Sequence, residues 1–225
     1  MYIFFKFTVY YNNFFKKLTF LGSESMFKKF LTTNDYHLLL DYTTNSAANK
    51  LAVHLQEMLP TNPKTPVVIA CIGTDRSTGD SLGPLVGTLL NEKKLPFNYF
   101  VYGTLSEPIH ALNLEEKINT IRELHGQAFI IAIDASLGSL KNVGYIKIGK
   151  GPLKPGTGVN KQLPEIGTIH ITGTVNISGF MEYLILQNTR LHTVMEMAKV
   201  IVNAIYYSSN QQLHVKEDYF INGQP

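Results

Sequence analysis

Two aspartates follow apolar runs in a pattern that suits acid–base chemistry. Asp80 lies in the loop GTDRSTGDSLGP, Gly73 to Pro84, which leaves the run VVIACIG; Asp134 closes the run AFIIAID. Two carboxylates at neighbouring strand ends can share a proton, hold a water or chelate a metal. Each role needs close anionic groups in a partly dry cleft. Pattern alone leaves a plainer alternative for Asp80, which also suits the N-cap of the helix expected from Ser81 to Leu90. In the same loop Asp75 is expected to brace the turn through its side chain, and Arg76 suits pairing with an acid or with a substrate carboxylate, a local ion pair being the plainer reading.

Other reactive residue types have weaker placements. Cys71, the lone cysteine, falls inside the run VVIACIG with nothing nearby to generate a thiolate, so it reads as a buried, inert thiol. Ser77 and Ser81 share the acidic loop but form no G-x-S-x-G elbow, which leaves Ser-His-Asp catalysis without support. Of the histidines only His170 falls in a segment expected near the acids, where it is a candidate metal ligand, although a strand histidine is more often a structural one. The glycine-rich stretch from Gly149 to Gly158 lacks G-x-x-x-x-G-K-[ST], so nucleotide binding is rejected. Lys150, Lys154 and Lys161 on this loop are of a kind more often solvated than functional, although a glycine-supported loop near an acidic site also suits an extended peptide.

The elements that must position these residues alternate. Ala48, Leu51, Ala52, Leu55, Met58 and Leu59 recur at helical spacing until Pro60. Val67 to Gly73, apolar and β-branched, reads as a strand buried on both faces. Leu82, Leu85, Val86, Leu89 and Leu90 stripe a second helix. Phe97 to Tyr102 is expected to be a strand, Asn113 to cap a helix carrying Glu115 and Glu116 in its first turn, and Ala128 to Asp134 to be a third central strand. YIKIG and TIHITG are strand-like, with the long glycine-rich loop between them. Helices are expected from Ser178 through Ile185 and from Leu191 through Ile205, before a polar tail. This order implies a layered α/β domain around a mostly parallel sheet, whose ligands gather at the carboxyl ends of the strands.

Composition bounds the function. The 225 residues are 44% hydrophobic and 16% charged, enough for one full core. Twenty Lys and Arg against 17 Asp and Glu give a dispersed net charge of +3, which disfavours a nucleic-acid partner. A single cysteine excludes an intrachain disulfide and a multi-cysteine zinc site, and a reducing compartment is the default. No run approaches the roughly 20 apolar residues of a membrane span. Residues 1–25, dense in Phe and Tyr but broken by Lys and Asn, lack a signal-peptide pattern and read as a poorly ordered or misassigned extension before a second start at Met26. The domain is then expected over residues 35–208, with 209–225 as the polar tail.

Several motifs in order carry a resemblance. CIGTDRSTGDSLGPLVG, VYGTLSEPIHALNLEEKI, FIIAIDASLG, VGYIKIGKGPLKPGTGVNKQLP and NISGFMEYLILQNTRL resemble the YyaC family of spore-protease-like sporulation proteins, over about residues 60 to 200. That family is similar to the germination protease acting on small acid-soluble spore proteins, and more distantly to hydrogenase-maturation endopeptidases. The resemblance implies a three-layer α/β, phosphorylase/hydrolase-like fold with a mostly parallel sheet, and a peptidase in the cytoplasm of the forespore or mother cell, acting on a protein or peptide substrate. It assigns catalysis to Asp80 in TGDSLGP and Asp134 in IAIDASLG. KPGTGVNK resembles a glycine-rich segment of the germination protease, so Lys154 and Asn160, with Asp75 and Asn176, are expected to shape substrate binding. The maturation enzymes' metal-binding histidine has Asn176 in its place here, with His170 six residues too early, so no metal or other cofactor is carried over. A non-catalytic sporulation scaffold that keeps the fold is the alternative, and the sequence leaves a homo-oligomer open.

Overall fold

The computed structural model describes residues 38–155 and 163–222. The expected extension over residues 1–25, along with Asn160 and Lys161, lies outside the described residues. In chain order the elements are β1 (Leu38–Asp41), α1 (Ala47–Met58), β2 (Val67–Cys71), a 3-10 turn (Gly79–Ser81) running into α2 (Leu82–Asn91), and β3 (Tyr99–Tyr102). There follow α3 (Leu114–His125), β4 (Phe129–Gly138), a 3-10 turn (Leu140–Asn142), β5 (Tyr145–Lys150), β6 (Ile169–Ile177), α4 (Glu182–Gln187) and α5 (Leu191–Asn222).

The six strands form one sheet in the order β1-β5-β6-β4-β2-β3. β6, β4, β2 and β3 run parallel, and β5 is antiparallel to both of its neighbours. All five residues of β2 are buried, as a continuous apolar run requires of a strand covered on both faces. The pleat divides the core in two. Val67, Ile69, Cys71, Ile131 and Ile133 face Leu51, Leu55, Leu82, Val86, Met197 and Ile201 of α1, α2 and α5. Ala70, Ile72 and Ala132 face the other way, onto Leu114 and Ile118 of α3 with Ile109, Leu153 and Ile166 from connecting segments. The result is a three-layer α/β domain. Its second face carries one helix, and irregular chain covers the rest.

The strands differ in length, and that difference matters for the acids. β2 pairs with β4 from Val67↔Phe129 to Cys71↔Ile133 and then ends. β4 runs four residues further than its sequence suggests, to Gly138, because β6 stays beside it from Ile131↔Ile169 to Gly138↔Ile177. Asp134 is therefore not the last residue of its strand. It is the first residue of β4 beyond the reach of β2, with Thr172 as its partner on the other side.

Three helix expectations change in detail. Asn113 precedes α3 but makes no cap bond to it; its side chain turns back to the preceding loop. α4 begins at Glu182 rather than near Ser178, because Met181 takes a left-handed φ of 67° and Phe180 is 93% exposed. The last helix continues to Asn222, past the expected break at Ser208.

A candidate active site with two aspartates

The turn that follows β2 is fixed by its backbone. Gly73 has a φ of 139°, and a Cβ there would collide with the carbonyl oxygen of Asp80. The same carbonyl accepts the N–H of Thr74 at 3.0 Å, while the Gly73 N–H donates to Ile109 O at 2.8 Å. The loop thus folds back on itself and brings Asp80 over the end of β2. Gly79 lets α4 approach: a Cβ there would stand 2.8 Å from both Leu186 Cδ2 and Thr189 Oγ1. Asp80 is therefore held within a 3-10 turn wedged between the sheet and α4, and the capping role open to it in the sequence is not the one it takes.

Beyond the end of β2 lies a cavity of about 380 Å³. Asp80 and Asp134 both line it, with Thr74, Ser77, His110 and Thr172 as further polar groups and Leu114, Leu137, Leu153 and Leu163 among its apolar walls. Glu182, Tyr183 and Leu186 of α4 close one side. An apolar pocket with a few convergent polar groups is the usual form of a small-ligand or reaction site.

The two acids differ in their surroundings. Asp134 is 8% exposed, and burial holds its carboxyl well above the ordinary carboxylate range. The nearby charge of Asp80 pushes in the same direction, while the Ala135 N–H, donating to Asp134 Oδ1 at 2.8 Å, opposes both. Asp80 is less enclosed. Burial raises its pKa to about 6, partly offset by the N–H of Thr74. Both carboxyls are thus pushed toward their neutral forms, Asp134 by the deeper burial, and unequal surroundings of this kind are what separates an acid from a base in acid–base catalysis.

The remaining residues singled out in the sequence divide. Lys154 lines the cavity and pairs with Glu165 at 3.1 Å. Asp75 is exposed and outside the lining; its carboxylate accepts a long 3.5 Å bond from Thr74 Oγ1. Asn176 is also outside the lining. Its Nδ2 donates to Ile185 O at 3.3 Å and Thr189 Oγ1 at 3.2 Å, which ties the end of β6 to the helix that walls the cavity. His170 is not at the cavity either; its Nδ1 lies 3.1 Å from Gly151 O. The histidine that does line it is His110, in a loop whose apolar pattern gave no periodic signal. Cys71 is fully buried, and burial pushes its thiol pKa up, as expected of an inert core thiol. Among the described residues no group of three or more His, Cys, Asp or Glu is arranged to hold a metal ion, and no helix is long and apolar enough to cross a membrane.

Fold and cavity define a three-layer α/β protein in which Asp80 and Asp134 line one cavity beyond the end of a central strand. The chain belongs to the family described as "Protein of unknown function (DUF1256)", whose sequence profile matches residues 39–204. Over 166 residues it is 54% identical to the "Uncharacterized protein YyaC" of Bacillus subtilis (strain 168), a match that covers 74% of this chain and 80% of that protein. Among solved structures it is similar to the [NiFe] hydrogenase maturation protease HycI from Thermococcus kodakarensis KOD1. That similarity has 16% sequence identity and a TM-score of 0.44, and it covers 68% of this chain and 98% of the other.

Proposed function

We propose that this protein is a peptidase that cleaves peptide bonds of spore proteins with the pair Asp80 and Asp134, in the cytoplasm of a spore-forming cell. One observation carries the reading: two carboxyls with raised pKa values line one largely apolar cavity. In the reaction the Asp80 carboxylate takes a proton from a water molecule as its oxygen bonds to the scissile carbonyl carbon. The carbonyl oxygen gains the displaced electron pair and is stabilised by the proton on Asp134. Collapse re-forms the carbonyl, the C–N bond breaks, and the proton now on Asp80 passes to the leaving nitrogen. Both acids return to their starting states. Lys154, Asn160 and the loop that carries them would hold the peptide on one side, with α4 on the other.

The test is hydrolysis of small, acid-soluble spore-type proteins by purified wild type, Asp80→Asn, Asp134→Asn and the double variant, with and without divalent metal. Groups that act as a unit are strongly non-additive, so all three variants should fall to nearly the same floor. Full activity in Asp80→Asn would remove the assignment. A wild type that binds such proteins without ever cutting them would favour a scaffold.

A further inference from the structure

His110 is held more tightly than a loop histidine needs to be. Its backbone N–H donates to Asn113 Oδ1 at 2.8 Å, and Asn113 Nδ2 donates to Pro108 O at 3.1 Å, so one side chain clamps both ends of the turn. Ile109, 1% exposed, bridges to Ile72 in parallel fashion and accepts the Gly73 N–H, which fastens the turn to the end of β2 and to the acidic loop. The ring itself is oriented. Leu112 N–H donates to His110 Nδ1 at 3.3 Å, a bond that requires the lone pair on Nδ1 and so places the ring proton of the neutral imidazole on Nε2. Nε2 has no partner among the described residues, and His110 lines the same cavity as Asp80 and Asp134.

Two other hydroxyls near the acids are more committed. Ser136 Oγ lies 3.3 Å from Thr174 Oγ1, and Thr74 Oγ1 donates to Asp75 and accepts from the Arg76 N–H. In the proposed reaction Asp80 is the ionised member of the pair and only accepts. A second donor beside protonated Asp134 is what a developing oxyanion requires.

We infer that His110 is a third substrate-binding group of this site, whose Nε2–H donates a hydrogen bond to the carbonyl oxygen of the peptide bond on which the two acids act. The inference rests on the peptidase reading, and it specifies the bound group: an amide carbonyl, met by a neutral imidazole. No proton leaves the ring. The hydrogen bond shortens as charge grows on the carbonyl oxygen and relaxes when the C–N bond breaks. Asn113 acts through His110 and is a positioning residue.

Two measurements separate this inference from the reading beneath it. The first is ¹⁵N NMR of the histidine rings in the full-length protein, with N-acetyl-leucine methylamide added as the peptide-bond probe. His110 should show the Nε2–H tautomer, and its Nε2 resonance should shift and saturate with the probe in wild type and in Asp80→Asn alike. An Nδ1–H tautomer, or an Nε2 resonance that stays still while other cavity signals move, would overturn it even if the protein cuts peptides. The second is turnover. His110→Phe should lower kcat by about 10²- to 10³-fold with little change in KM, and His110→Gln, which restores an N–H donor, should recover part of the loss. Wild-type kcat in His110→Phe would refute the role. A wild type without turnover, but with the His110 shift intact, would sink the peptidase reading while leaving the carbonyl contact standing.

Discussion

Replacing Asp80 with Asn should stabilise the protein by an amount that grows with pH. In the folded state burial raises the Asp80 pKa from 3.8 to about 6. A raised carboxyl binds its proton more tightly folded than unfolded, so its contribution is fully present below pH 3.8 and is lost as pH rises through about 6. About two pKa units correspond to roughly 3 kcal/mol once both states are ionised. Asn carries no such dependence. The advantage of Asp80→Asn should thus be roughly half a kcal/mol at pH 4 and roughly 3 kcal/mol at pH 7. For a domain of this size roughly 1 kcal/mol moves Tm by about 2 to 4 °C, so the variant should melt about 6 to 12 °C above wild type at pH 7 and within about 2 °C at pH 4. Thermal melts followed by circular dichroism at intervals between pH 4 and 7 would record this. A gap that is constant across the range, or that widens toward acid, would refute the claim that Asp80 titrates inside an enclosed cavity.

Other outcomes follow from neighbouring residues. Among the described residues Ser77 Oγ is buried without a hydrogen-bond partner, so Ser77→Ala should raise stability by roughly 1 kcal/mol or more in denaturant titration, whereas loss of stability would mean that the hydroxyl has a partner. Gly79→Ala should lower it by about 1 to 3 kcal/mol, because the new Cβ must push Leu186 and Thr189 aside and shift α4 off the cavity. Asn176→Ala, at a residue outside the cavity lining, should weaken the tie between β6 and α4 and raise KM more than it lowers kcat. The peptidase rate should rise with pH through about 6 as Asp80 ionises and fall again only where Asp134 loses its proton.

The legible part of this protein was the part set by local pattern. The run Val67–Cys71 is apolar at every position because it is covered on both sides, and Leu82, Val86 and Leu90 repeat at helical spacing because they meet one core. Asp80 and Asp134 stood out because each follows such a run. What pattern could not supply was the pairing of strands with one another. The extension of β4 to Gly138 depends on β6 lying beside it, and β6 is itself irregular there: Ser136 pairs with Thr174 but Leu137 with Asn176, so Val175 is an extra residue in the ladder. His170 and His110 exchange roles for the same reason. His170 sits on a strand, where its alternation is visible, yet its ring meets Gly151. His110 sits in a loop, and only the bridge between Ile109 and Ile72 brings it to the acids.

The same mismatch of strand lengths explains why a pair of carboxyls can be kept half dry at this place. Were β2 as long as β4, its next residues would pair with Asp134 and cover it with backbone. Were β4 as short as β2, Asp134 would sit in a turn open to water and keep an ordinary pKa. Instead β6 supports Asp134 on one side and the vacated lane of β2 leaves the other to the cavity. Above that lane the Gly73–Asp80 loop folds back and α4 seals its flank. Below the sheet α3 reaches the cavity only with Leu114, its first residue, so His110, Leu153 and Leu163 from connecting segments complete the wall. Connecting segments can change without disturbing the two-sided core. The acids are thus held by the sheet, while what they meet is decided by the loops.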